Sequence, residues 1–187
     1  LYLDKNSKLT FFKDLKVGSN NRFSGKVIIG KRNKIFDNCT FVNAKIGNYN
    51  KIESNSFIKD SKINNSNKIG PFAFIRSDCR IGDFNRVGVF VEIVRANIKH
   101  NVQISHQAII IDISLGNNVI IGAGVCVANY YKNKTNKSIV GRATLIGCNT
   151  TIVSPVNIGS DVIIGAGSLI NFNVSNKKKI LQKRTIS

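Results

Sequence analysis

Aliphatic residues recur at every sixth position along nearly the whole chain. Steps of six from Ile63 meet Ile69, Ile75, Ile81, Val87 and Ile93, and a step of five then reaches Ile98, Ile104 and Ile110. A further five leads to Leu115, Ile121 and Val127, and after an interruption the frame resumes at Val140, Ile146, Ile152, Ile158, Ile164 and Ile170. Backwards it passes Ile58, Ile52, Ile46, Phe41, Ile35, Ile29, Phe23 and Val17. A glycine often follows the aliphatic residue, as at Gly70, Gly82, Gly122 and Gly147, and two positions before it stands a small one, such as Ala73, Cys79, Ala96 or Ala108. On a strand, residues two apart share a face, so the small and the aliphatic residue point inward together. A helix would scatter this pattern, because a spacing of six does not return to one face of a wheel with 3.6 residues per turn. The spacing therefore predicts short strands joined by bends, three to a coil, with the coils stacked so that one buries the aliphatic column of the next. Val17 to Ile170 makes roughly nine coils. Gly, Asn and Asp are expected at the bends, where unusual backbone angles are needed.

The stretch 128–139 breaks the frame and is predicted to leave the coil as an inserted loop, a usual place for function on a regular scaffold. Across 187 residues, 42% are hydrophobic and none is Trp, so Ile and Val must fill the core of a single domain. No run is long and apolar enough to span a membrane, and the start lacks the pattern of a signal peptide, which points to a cytoplasmic protein without a membrane partner. The absence of Met and the opening Leu1 lead us to expect a piece of a longer polypeptide. The four cysteines, Cys39, Cys79, Cys126 and Cys148, show no metal-ligand spacing and read as reduced structural thiols. A net charge of +18, from 28 Lys and Arg against 10 Asp and Glu, invites nucleic-acid binding. The cations are spread along the chain, and with abundant Asn and Ile they read as a compositional bias, so no nucleic-acid partner is expected. The cluster from Lys177 to Arg184 is the exception.

Beyond the repeat, an ordered series of segments narrows the family: Lys68-Ile69-Gly70-Pro71-Phe72-Ala73-Phe74-Ile75-Arg76, Val89-Phe90-Val91-Glu92, Ser105-His106, Ile121-Gly122-Ala123-Gly124, Asn129-Tyr130, Val153-Ser154-Pro155-Val156 and Ile164-Gly165-Ala166-Gly167. In order and spacing these resemble the acetyltransferase domain of the bifunctional N-acetylglucosamine-1-phosphate uridyltransferase and glucosamine-1-phosphate acetyltransferase, a hexapeptide-repeat acyltransferase. The resemblance covers about Asp14 to Val174. It implies an all-β, left-handed parallel β-helix over 1–174, a basic tail over 175–187, and a nucleotidyltransferase domain upstream that alone uses magnesium. It further implies acetyl transfer from acetyl-CoA to the amine of glucosamine 1-phosphate for UDP-N-acetylglucosamine, peptidoglycan and lipopolysaccharide synthesis, in a homotrimer with active sites between chains.

In that resemblance His106 matches the general base, and an imidazole suits proton removal at neutral pH. Arg76 matches a sugar-phosphate arginine. Ala123, Asn129, Tyr130, Cys148 and Ala166 fall in the acetyl-CoA cleft, and Lys183, or the adjacent Arg184, falls where an arginine meets the CoA phosphates. No metal ligand is implied. The chain departs from the pattern at Val94, Ile109 and Ile120, where the family uses Lys, Tyr and Asn on the sugar phosphate. An aliphatic side chain forfeits those contacts, each worth about 1 to 3 kcal/mol. Arg95 and Lys134 are candidates to compensate; alternatively the acceptor is another amino sugar, or the domain is a trimerisation stalk with little activity. The three aliphatic residues could also lie in the contact between chains. A zinc site like that of the carbonic anhydrases sharing this architecture needs three histidines, and the chain has His100 and His106.

Overall fold

The computed structural model describes residues 2–182 except 6, 13 and 132. Its strands run in strict rotation through three parallel sheets, which form the faces of a left-handed parallel β-helix. The first face begins with Tyr2–Leu3 and ends with Leu169–Ile170, the second runs from Lys8–Phe11 to Asn157–Ile158, and the third from Lys16–Val17 to Lys179–Ile180. They hold ten, nine and ten strands, about one coil more than the aliphatic frame gave. The surplus lies at the ends, where Tyr2–Leu3 pairs with Arg22–Ser24 and Lys179–Ile180 pairs with Ile163–Ile164. Val174 also bridges to Ile158, so the coil continues past 174 to Ile180.

Every aliphatic position of the frame from Phe23 to Ile170 is buried, and registers such as Ile69 to Val87 and Ile104 to Ile121 stack them in columns. Each buried Ile or Val contributes about 1.5 to 3 kcal/mol, so the stack rather than any two-residue strand holds the fold. Phe23 and Phe41 stack within it, their ring centroids 5.3 Å apart. Cys39 and Cys79 fill the small inward positions, and burial pushes the Cys39 thiol up to about 11.

Two features depart from the apolar pattern. Where the second face turns into the third, the small inward position is taken by Asn33, Asn50, Asn67 and Asn85, all buried. Each side-chain oxygen accepts the backbone N–H one coil on, from Asn50, Asn67, Asn85 and Val102 in turn, at 2.7 to 2.9 Å. The amides donate to bend carbonyls, as from Asn67 to Gly82, so this polar ladder is satisfied. The corners are also less restricted to Gly, Asn and Asp than expected. Arg32, Tyr49, Phe72, Phe84, Phe90 and Arg95 all have positive φ, between 47° and 60°. Backbone hydrogen bonds between equivalent corners, such as Phe84 N–H to the Asn65 carbonyl, hold these residues in place.

The coil also gathers charges that looked dispersed along the chain. On the outer side of the third face, Lys16, Lys34, Lys51, Lys68 and Arg86 stand in register on successive coils. Above them the same column continues as Gln103, Ile120, Leu145 and Ile163. Cations 17 or 18 residues apart in the chain thus become neighbours, a relation invisible at the six-residue period.

Candidate active site

The corner from the third face to the first carries a column of residues, each two places beyond an inward aliphatic residue: Pro71, Val89, His106, Ala123, Cys148 and Ala166. Backbone hydrogen bonds tie the levels together, from Gly124 N–H to the His106 carbonyl (2.9 Å), Asn149 to Ala123 (2.8 Å) and Gly167 to Cys148 (2.7 Å). The preceding glycines make this close stacking possible. A Cβ on Gly122 would lie 2.5 Å from the Cys148 nitrogen, and one on Gly147 would lie 2.4 Å from that of Ala166. His106 therefore shares one edge with three of the small residues assigned to the acetyl-CoA cleft. Its side chain is exposed, with Nδ1 accepting the Val89 N–H at 3.3 Å.

Two shallow depressions meet at His106 on the third face. One, of about 240 Å³, is lined by Arg86, Gly88, Gln103 and Ser105, and the other, of about 380 Å³, by Glu53, Lys68, Pro71, Arg86 and Val89. Next to this edge the Phe72 and Phe90 rings stack with centroids 5.0 Å apart.

The other candidates lie elsewhere on the prism. Arg76 ends a strand of the first face, with Nη2 2.9 Å from Glu92 Oε1 and its guanidinium over the Phe74 ring. Arg95 and Asn129 occupy the corner from the first face to the second, two corners being needed to pass from them to His106 along the chain. There Asp112 joins them: Arg95 donates from Nε and Nη2 to its two carboxylate oxygens at 2.8 and 2.7 Å, and the Asn129 amide donates to Oδ2. The Arg95 hydrogen bonds hold the buried Asp112 carboxyl below the usual carboxylate range, against burial, and the same bonds raise Arg95. Asp112 was missed from the sequence. The signal was the spacing, since Arg95, Asp112 and Asn129 lie 17 apart, one coil each.

Beyond Asn129 the interruption rises as a hairpin, Tyr130–Tyr131 against antiparallel Lys134–Thr135, and Tyr130 is 67% exposed. Lys183 and Arg184 lie outside the described residues. Of the three departures, Ile109 and Ile120 face outward at 38% and 40% exposure. Val94 is 1% exposed although it faces away from the core cluster, and it stands between Arg76 and Ile111 in register. It is already covered within its own chain, so burial there needs no second chain.

No family model matches the chain. In sequence it is 38% identical over 147 residues to the bifunctional protein GlmU of Ruthia magnifica subsp. Calyptogena magnifica, a match covering 79% of this chain and 32% of that protein. The chain spans about a third of the length of that relative and 19% of the GlmU of Clostridium perfringens. Among solved structures, the UDP-N-acetylglucosamine acyltransferase LpxA from Bacteroides fragilis superposes with a TM-score of 0.63 at 21% identity, over 94% of this chain and 69% of that one. A mutant perosamine N-acetyltransferase from Caulobacter crescentus, solved with CoA and GDP-perosamine, gives 0.56 at 24% identity over 62% of this chain and 53% of that one. The structural matches carry the fold, and the GlmU match carries the kinship.

Proposed function

We propose that this chain, a relative of the bifunctional GlmU proteins along most of its length, transfers an acetyl group from acetyl-CoA to the amine of an amino-sugar phosphate, with glucosamine 1-phosphate as the first candidate. One observation carries the reading: His106 stands in a single edge column with Ala123, Cys148 and Ala166. A nucleophilic amine must lose a proton as it attacks a thioester carbonyl, and a solvent-facing imidazole can take it. Above His106 the edge presents small side chains on three successive levels, leaving room for a narrow pantetheine arm to run along the prism. The hairpin at Tyr130 leaves the coil at another corner, so its part in this reading is to reach over the cofactor bound along the edge of a neighbouring chain.

Arg76 lies on the first face and His106 at its leading corner, so a homotrimer with sites between chains would bring one chain's arginine to its neighbour's imidazole. That assembly belongs to the proposal, as do the placement of Lys183 on the CoA phosphates and the upstream nucleotidyltransferase domain. The described residues contain no helix long and apolar enough to cross a membrane.

A second reading, transfer to a different amino sugar, is favoured by Ile109 and Ile120, which present aliphatic surface where sugar hydroxyls or phosphate would need donors. Release of free thiol from acetyl-CoA, followed with glucosamine 1-phosphate and then with other amino sugars and their phosphates, tests both readings. A rate with glucosamine 1-phosphate that His106→Ala abolishes supports the first, and a higher rate with another acceptor supports the second. Wild-type rates no higher than background with every acceptor would refute enzymatic function and leave a structural stalk, and equal rates above background for wild type and His106→Ala would remove His106 from the chemistry.

A further inference from the structure

We propose that Lys68 and Arg86 form a phosphate-binding pair beside His106, taking the phosphate monoester of a reactant. The inference rests on the acetyltransferase reading for the identity of that reactant, but the geometry of the pair stands apart from it. Arg86 lines both depressions that meet at His106, and Lys68 lines the larger one. The two residues stand directly opposite each other on adjacent strands, Lys68 to Arg86, with outward side chains. Gln103, the next residue in the column, closes the smaller depression with a neutral polar group.

The arginines expected to hold phosphate each face a carboxylate already. Arg76 is paired with Glu92 at 2.9 Å, and Arg95 with Asp112 at 2.7 Å through a two-pronged contact. Each guanidinium keeps Nη1 donors to offer, but its Nε and Nη2 donors are committed and its charge is already balanced by a carboxylate. Lys68 and Arg86 pair with no carboxylate among the described residues. Glu53, the acid that shares their depression, is held by Lys51 at 2.6 Å. Two like charges facing each other across neighbouring strands repel. An anion between them removes that repulsion and gains charge-assisted hydrogen bonds, while the groove positions it next to the imidazole. The phosphate is either that of the acceptor sugar or the 3′-phosphate of CoA, and both chemistries fit the same two cations.

The test is titration calorimetry on the full chain, wild type against Lys68→Gln/Arg86→Gln, with four probes: glucosamine 1-phosphate, glucosamine, CoA and dephospho-CoA. We expect the double variant to weaken one phosphorylated probe at least tenfold and to leave its unphosphorylated partner within twofold. Weakening of glucosamine 1-phosphate assigns the pair to the acceptor, and weakening of CoA but not dephospho-CoA assigns it to the cofactor. Arg86→Lys should retain part of the affinity through its charge. The double variant should melt no lower than wild type, because it relieves repulsion, and a lower melting temperature would mark a structural role instead. Affinities unchanged for both phosphorylated probes overturn the inference. Because binding is read without turnover, a wild-type protein that binds through the pair but transfers no acetyl group would refute the enzymatic reading alone.

Discussion

The Nδ1 of His106 accepts a hydrogen bond from the backbone N–H of Val89, one coil back, at 3.3 Å. A neutral ring held this way keeps its lone pair on Nδ1 and its proton on Nε2, so the nitrogen able to accept a proton is the one engaged by the backbone. The bond is long and correspondingly weak. Under the acetyltransferase reading, an incoming amine would have to displace the Val89 donor from Nδ1, and the length of the bond keeps the cost of that exchange low.

His106→Ala should lower acetyl transfer by about 100-fold or more, the usual range for loss of a positioned base. Gly88→Ala offers a subtler check. A Cβ there would lie 3.1 Å from His106 Nδ1 and 3.0 Å from the Ser105 carbonyl carbon, pressing on both the ring and its backbone. We expect kcat to fall at least tenfold, and an unchanged kcat would show that ring placement does not matter.

Cys148 and Cys39 should differ sharply toward a thiol reagent. Cys148 is exposed on the His106 edge, whereas Cys39 is buried and its thiol is pushed up to about 11 by burial. Mass spectrometry of partly alkylated protein should find Cys148 modified first, and saturating CoA should slow that modification. Failure of CoA to protect it would move the cofactor away from this column.

The Arg95–Asp112 pair should leave a signature in acid. Asp112 is held below its ordinary value of 3.8 chiefly by the Arg95 hydrogen bonds. A depressed carboxyl stabilises the fold fully above the unfolded-state value, and this contribution is lost as pH falls through the lower, folded value. Melting temperature measured from pH 7 down to 2 should therefore drop more steeply below about pH 4 in wild type than in Asp112→Asn. At neutral pH, Arg95→Ala should cost about 1 to 3 kcal/mol, because it leaves the buried Asp112 carboxylate with the Asn129 amide as its remaining side-chain donor. Parallel acid limbs for wild type and Asp112→Asn would deny the pair its part in acid stability.

Asn67→Ala should destabilise by about 2 to 4 kcal/mol, as it leaves the buried Asn85 N–H and the Gly82 carbonyl without their partners. Chemical denaturation measures this directly. A loss below 1 kcal/mol would mean that water enters the corner and replaces the amide.

Much of the molecule was readable along the chain because its period is short. Burial every six residues needs no knowledge of distant contacts, and so the coil, its inward column and an inserted loop over 128–139 could be drawn from the order of Ile, Val and Gly, while the hairpin form of that loop came from the structure. His106 and its small-residue companions were reached through ordered motifs. The asparagine ladder was not foreseen, because a single buried Asn is unfavourable and becomes acceptable only when the next coil supplies its partner.

Side-chain partnership was set by stacking. Which residue of one coil meets which of the next depends on how steps of five and six accumulate around three corners, and a slip of one place turns a side chain from inside to outside. That register joined Arg95 to Asp112 and Asn129, brought Lys68 and Arg86 to the edge of His106, covered Val94, and lined up cations that had looked scattered. The inward pattern is a property of each strand, but the outward chemistry arises between coils, where through-space neighbours are 17 or 18 residues apart in the chain.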